Sequence, residues 1–229
     1  MTSHRFRNLL CVNVGTIAFT TWIAACSPIA KTPTSMPSAT PATTEMNHGK
    51  MNSAMNHSMD LGPADENYDL RFIDAMIFHH EGAVVMAKDA LQKSKRPELK
   101  KLATEIISAQ TQEVAQMKAW RTDWYPKSPN TPMAWQSTMN HMMDMSPKQI
   151  SAMRMDLDLG AADAGYELRF IKAMIPHHEA AIVMANDLSS KTQRPELKKL
   201  AKAIIISQQA EIDQMKQWSK DYETSSTRR

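Results

Sequence analysis

Beyond residue 65 the chain alternates apolar and polar positions with a helical period. Phe72, Ile73, Met76, Ile77, Ala83, Val84, Met86, Ala87 and Leu91 share one broad arc when residues are set at about 100° per step, with Asp74, Glu81 and Lys88 opposite. This predicts an amphipathic helix over roughly residues 65–93. A second helix opens at Arg96-Pro97-Glu98. Proline suits the first helical position, where its missing N–H is not needed, and a carboxylate beside it favours the positive end of the helix dipole. The stripe Leu99, Leu102, Ile106, Ala109, Met117, Trp120 and Trp124 carries this helix to about residue 124. The break between the two helices is short, which predicts an antiparallel hairpin.

The pattern then returns. Tyr68–Trp124 aligns without a gap on Tyr166–Tyr222, and 34 of the 57 positions are identical. Such a duplication outranks any local signal. It predicts a third helix over 163–190 and a fourth from Arg194-Pro195 to about Tyr222, hence an all-α four-helix bundle of two repeated antiparallel helix hairpins. The repeats occupy residues 63–125 and 163–224. The connector over 126–162 holds prolines at 126, 129 and 132, and Ser146-Pro147 is expected to cap a short helix through Met155.

Upstream of the repeats the composition changes twice. Arg5 and Arg7 precede the mostly apolar stretch Leu9–Ala25, and small residues lead into Cys26. Residues 1–25 therefore read as a signal peptide. Ile23-Ala24-Ala25-Cys26 resembles the lipobox of bacterial lipoproteins, which implies a mature chain lipidated at Cys26, exported to the periplasm and membrane-anchored through that lipid. Residues 26–62, rich in Pro, Thr, Ser and Ala and then in Met and Asn, read as a disordered N-terminal tether.

Charge adds little. Removing Arg5 and Arg7 leaves 25 basic against 24 acidic residues, which gives no footprint for nucleic acid. Cysteine adds an exclusion. Cys11 lies in the leader, so Cys26 alone remains, and neither a disulfide nor a thiolate metal site can form within one mature chain. Any soft-metal site must use methionine and histidine, and methionine is abundant at 19 residues.

The histidines are placed oddly for solvent-facing groups. His79 and His80 fall inside the apolar arc, flanking Met76, which precedes them by three and four residues and can face the same point. Glu113 and Gln110 fall within the apolar stripe of the second helix. Folding the hairpin brings Met76, His79, His80, Gln110 and Glu113 into neighbouring layers, and Gln208 and Glu211 repeat the arrangement. A buried carboxylate beside buried imidazoles is costly unless paired or metal-bound. A satisfied polar network and a metal site both answer that cost. The tether and connector weigh toward metal, because core packing does not explain Met46, His48, Met51, Met55, His57 and Met59, nor Met139, His141, Met142, Met143 and Met145. Thioether and imidazole select soft or borderline ions, Cu(I) above all and Ag(I) by analogy.

"RFIDAMIFHHEGAVVMA", "RPELKKLA" and "QTQEVAQM" resemble the DUF305 family, whose hallmark is a "MIxHHxxAxxMA" helix followed by "Q...EI..M". The tandem, methionine-rich, exported form is similar to CopM-like bacterial copper-binding proteins. The resemblance implies a ferritin-like bundle that binds copper in the periplasm and supports copper resistance. Carried over by position, it points to Met76, His79, His80 and Met86, and to Met174, His177, His178 and Met184, as metal ligands. A copper efflux or delivery protein is an implied partner. One departure lies within the chain: Phe78 becomes Pro176, which removes a helix hydrogen bond and is expected to kink the second copy at its histidines.

The expected function is a non-enzymatic copper buffer, carrier or resistance factor. A di-metal carboxylate oxidase or ferroxidase in the same bundle is the alternative, but it wants several inward carboxylates and Glu-x-x-His pairs, and only Glu113 and Glu211 face in. A structural or adaptor lipoprotein, whose histidines merely pack, is the third reading.

Overall fold

The computed structural model describes residues 60–227, with side chains through residue 224. The leader, Cys26 and the tether residues Met46, His48, Met51, Met55, His57 and Met59 lie outside the described residues. The order of elements is α1 (Tyr68–Lys93), α2 (Pro97–Trp124), β1 (Met133–Gln136), β2 (His141–Asp144), α3 (Pro147–Arg154), α4 (Tyr166–Lys191) and α5 (Pro195–Thr227). α1 pairs with α2 and α4 with α5, and α1 packs on α4 to join the hairpins. The fold is the expected all-α bundle of two repeated hairpins.

Each first helix starts three residues later than its periodicity predicts. The Asp65 carboxylate accepts from the Asn67 backbone N–H at 2.9 Å, and Asp163 accepts from Gly165 in the same way. Such local turns compete with the helix and set its boundary just downstream. Arg71 anchors the entry loop: its guanidinium donates to the carbonyls of Leu61 and Pro63 at 2.6 and 2.8 Å and to Asp65 at 2.9 Å. Arg169 does the same to Leu159, Ala161 and Asp163. The duplication therefore begins at Asp60-Leu61-Gly62 and Asp158-Leu159-Gly160, upstream of the helices. Gly62 and Gly160 adopt φ of 79° and 73°, which favours glycine.

The repeats lock together reciprocally. Tyr68 donates to Asp187 at 2.5 Å and Tyr166 to Asp89 at 2.8 Å. Lys191 reaches the Gly62 carbonyl and Lys93 that of Gly160. Two apolar clusters follow the same exchange. One joins Tyr68–Ile77 of α1 and Val114 and Met117 of α2 to the far half of α4 and the near half of α5. The other joins Ala83–Ala90 of α1 and the near half of α2 to the near half of α4, Met215 and Tyr222. The layer between the clusters holds the four histidines.

The connector departs from expectation. α3 forms, with Ser146 and Gln149 making a reciprocal capping box and Met155 left-handed at φ 48°. Before it, β1 and β2 pair antiparallel, Trp135 opposite Met142, across a turn in which Asn140 has φ 53°. This hairpin overturns the placement of Asp74 on the solvent side of α1. Asp74 is 2% exposed, because the connector covers its face. Its carboxylate accepts from Arg121 at 2.5 Å and from the Met133 backbone N–H at 2.8 Å. Burial raises the Asp74 pKa, and the Arg121 and Met133 hydrogen bonds oppose that rise.

Candidate metal site

Met76, His79, His80 and Met86 of α1, and Met174, His177, His178 and Met184 of α4, are all essentially inaccessible. Helix geometry rules out each set acting as one cage, since Met76 and Met86 stand about 15 Å apart along the axis at 1.5 Å per residue. The clusters re-sort them across the repeats. Met76 shares its cluster with Met184, Met117, Met145 and Met153. Met86 shares the other with Met174 and Met215. Within each helix the nearer thioether belongs to the residue four before the second histidine, Met76 before His80 and Met174 before His178.

The second histidine of each pair faces its own hairpin, as expected. His80 Nε2 lies 2.8 Å from Glu113 Oε2, and His178 Nε2 lies 2.6 Å from Glu211 Oε2. A carboxylate accepts, so Nε2 carries a proton, and in the neutral ring Nδ1 is a bare lone pair. Both Nδ1 atoms are buried without a hydrogen-bond partner. The geometry makes Glu113 and Glu211 orienters of imidazole; each fixes a tautomer and raises the basicity of the opposite nitrogen.

The first histidine of each pair turns away from the expected layer. His79 and His177 stack across the α1–α4 seam with ring centroids 3.8 Å apart and planes 21° apart. His79 Nδ1 lies 2.9 Å from the Met153 carbonyl and its Nε2 2.9 Å from the His177 carbonyl. His177 Nε2 lies 3.0 Å from the Arg154 carbonyl, and its Nδ1 has no partner. Burial pulls His79 down to about 4, with the neighbouring His80 and His178 adding to the depression and the Met153 and His177 carbonyls opposing it. Burial likewise takes His177 well below 6.5, followed by the repulsion of His79 and His178. Both rings are neutral at neutral pH. A neutral imidazole has one N–H, so one of the two carbonyls at His79 faces a lone pair.

Three bare imidazole nitrogens thus sit in a core rich in thioethers. Among the described residues no three His, Cys, Asp or Glu side chains gather closely enough to hold an ion. A site of three side-chain ligands among these residues would need a donor of another kind, and methionine sulfur is the one that the two core clusters supply. Pro176 does not end α4, which runs as one helix through it.

The connector residues scatter. Met139 and Met143 are 59% and 41% exposed, whereas Met145 is buried in the core. Met142 sits half-buried with its sulfur 4.0 Å from Arg71 Nη1, and His141 is exposed, its Nδ1 3.1 Å from the Met139 carbonyl. Strand alternation turns Met142 toward α1 and its neighbours to solvent. Sequence reasoning missed the part played by Met153 and Arg154, whose backbone carbonyls close the histidine layer. The available signal was Gly82, a glycine inside a helix where the second copy has Ala180.

The matched family is described as "Domain of unknown function (DUF305)", and the match covers residues 69–219. The chain belongs to the DUF305 family. Solved DUF305-like neighbours include CopM in a Cu(II)-bound form, 40% identical over 67% of this chain and 97% of CopM, with a TM-score of 0.54. CopM in a Cu(I)-bound form is 39% identical over 67% and 96% of the two chains, with a TM-score of 0.52. CopM has also been solved in Ag-bound and apo forms. A DUF305 fragment from Deinococcus radiodurans, 25% identical over 70% of this chain and 99% of its own, has a TM-score of 0.52. "Uncharacterized protein L153" of Acanthamoeba polyphaga mimivirus is 47% identical over 47 residues, which span 20% of this chain and 31% of that protein.

Proposed function

We propose that this DUF305 protein is an exported, non-enzymatic copper-binding protein, a buffer or carrier that supports copper resistance. The observation that carries the reading is the set of bare Nδ1 atoms on His80, His177 and His178, buried in a core that also holds Met76, Met117, Met174 and Met215. Imidazole nitrogen and thioether sulfur suit Cu(I) and Ag(I), and thioether needs no deprotonation to bind. The likeness to CopM, solved with Cu(I), Cu(II) and silver, supports the same cargo. The tether and connector methionines supply accessory sites. The lipobox-like context of Cys26 supports a periplasmic lipoprotein, and Cys26→Ala should move the protein out of the membrane fraction; unchanged fractionation rejects the anchor. Copper efflux or delivery proteins are the partners that such a carrier would serve.

The test is thermal melting with and without Cu(I) under anaerobic conditions. Metal that binds only the folded state raises its melting temperature with metal concentration. Parent protein should show that rise, and a variant carrying His79→Ala, His80→Ala, His177→Ala and His178→Ala should lose most of it. An equal rise in the two proteins removes the histidine layer from the copper site.

A further inference from the structure

Away from the histidine layer α3 is held by little: Ile150 packs partly buried against the core. Met153 is its one buried side chain. A cavity of about 110 Å³, lined by Leu61, Trp135, Met145, Gln149 and Met153 among others, runs along its flank. Its ion pairs, Arg154 to Glu81 at 3.7 Å and to Asp156 at 3.0 Å, are partly exposed. Segments with few buried apolar contacts open locally at low cost.

Its last turn, by contrast, lies over the stacked rings. The final carbonyls of a helix have no partner within it. Here the Met153 carbonyl meets His79 Nδ1 and the Arg154 carbonyl meets His177 Nε2. Two successive carbonyls thus cover two imidazoles, one from each repeat. The approach depends on Gly82, where a Cβ would overlap the Arg154 carbonyl oxygen. The equivalent position in the second repeat is Ala180, buried in the core cluster.

We infer that α3 is a lid over the histidine layer: ions reach the stacked His79–His177 pair when its last turn lifts off α1. Lifting frees His79 Nδ1 and His177 Nε2 together, one nitrogen from each repeat. The identity of the ion rests on the copper-binding reading, but the lid can be tested without metal.

Three variants of the full chain separate the possibilities. Gly82→Ala pushes the lid open from below. Ser146→Ala removes the capping box at the far end of α3 and touches nothing in the bundle. Ala180→Gly is the counterpart where no lid sits. Metal-free samples are followed by hydrogen–deuterium exchange of residues 147–155 and by the rate at which diethyl pyrocarbonate modifies His79 and His177. Cu(I) uptake is followed separately by stopped flow. Gly82→Ala should raise all three rates about tenfold or more, the scale of a core overpacking clash. Ser146→Ala should raise them less, and Ala180→Gly should leave them unchanged. Faster α3 exchange with unchanged histidine modification overturns the lid. Faster exchange and modification in a protein that takes up no Cu(I), parent included, leaves the lid standing and overturns the copper reading. If Gly82→Ala does not fold, Ser146→Ala decides alone.

Discussion

Acid should destabilise the metal-free protein through His79 well before its exposed carboxylates titrate. The ring is wholly buried between α1, α4 and α3, and burial lowers its pKa from 6.5 to about 4. The unfolded chain therefore takes up a proton near 6.5 that the folded chain refuses until about 4. Stability from this group is present in full above 6.5 and is lost as pH falls through that window. One pKa unit corresponds to about 1.4 kcal/mol, so the loss is on the order of 3 kcal/mol. That is a large share of a typical domain stability of about 5–15 kcal/mol. His177 shifts in the same direction and adds to the effect.

The comparison is with His79→Gln, whose amide can still donate to the Met153 carbonyl but does not titrate. Urea unfolding midpoints of both proteins would be measured with a metal chelator present at several pH values between about 7.5 and 4.5. Midway in the window the parent should lose up to about 1.4 kcal/mol per pH unit more than the variant. Carboxylate titration affects both proteins and cancels in the difference. Parallel pH profiles would refute the argument, since they would mean that His79 binds its proton equally in the folded and unfolded states.

Three further outcomes follow from the same geometry. Asp74→Ala should cost about 3–5 kcal/mol, because it strips a mostly buried ion pair from Arg121 and leaves the Met133 N–H without an acceptor; a melting temperature within a degree or two of the parent would show that the connector docks without it. Glu113→Gln with Glu211→Gln should leave folding largely intact, as an amide oxygen still accepts from Nε2–H, yet weaken Cu(I) binding about 10–100-fold in a chelator competition; unchanged affinity would separate these carboxylates from the site. Deleting residues 46–59 should lower bound Cu(I) per chain with unchanged far-UV circular dichroism, and an unchanged titration endpoint would remove the tether from copper binding.

The helices were legible because apolar period and duplication speak for the same thing twice. His80–Glu113 was legible too, since an imidazole and a carboxylate on facing apolar stripes have few other partners. His79 was not. Its wheel position differs from that of His80 by about 100°, which is enough to turn it from its own hairpin toward the next. Nothing within one repeat says which neighbour lies there. Asp74 failed for a related reason: a wheel reports the face of a single helix, and the connector later covered the face assigned to water. The strands of four residues each were hidden because methionine and polar residues in that run show no clear alternation. Arg71 carries no signal in a helical wheel, although Arg169 repeats it and both clasp the turn ahead of their helix.

Three positions whose surroundings differ between the repeats share one origin. Position for position, Asp74 corresponds to Lys172, Gly82 to Ala180 and Gly62 to Gly160. In the first repeat all three serve the connector: Asp74 receives the Met133 N–H, Gly82 makes room for the Arg154 carbonyl, and Gly62 packs against Trp135. In the second, Lys172 forms an exposed ion pair with Glu223, Ala180 fills core, and the space at Gly160 holds only the Arg169 guanidinium. The connector can lie on one side alone, and it meets equivalent histidines differently: the Met153 carbonyl faces Nδ1 of His79 and the Arg154 carbonyl faces Nε2 of His177, while the second nitrogen of His79 is covered by the His177 carbonyl of α4. A duplicated sequence supplied two matching histidine pairs, and a single covering segment gives their first members different hydrogen-bonding nitrogens.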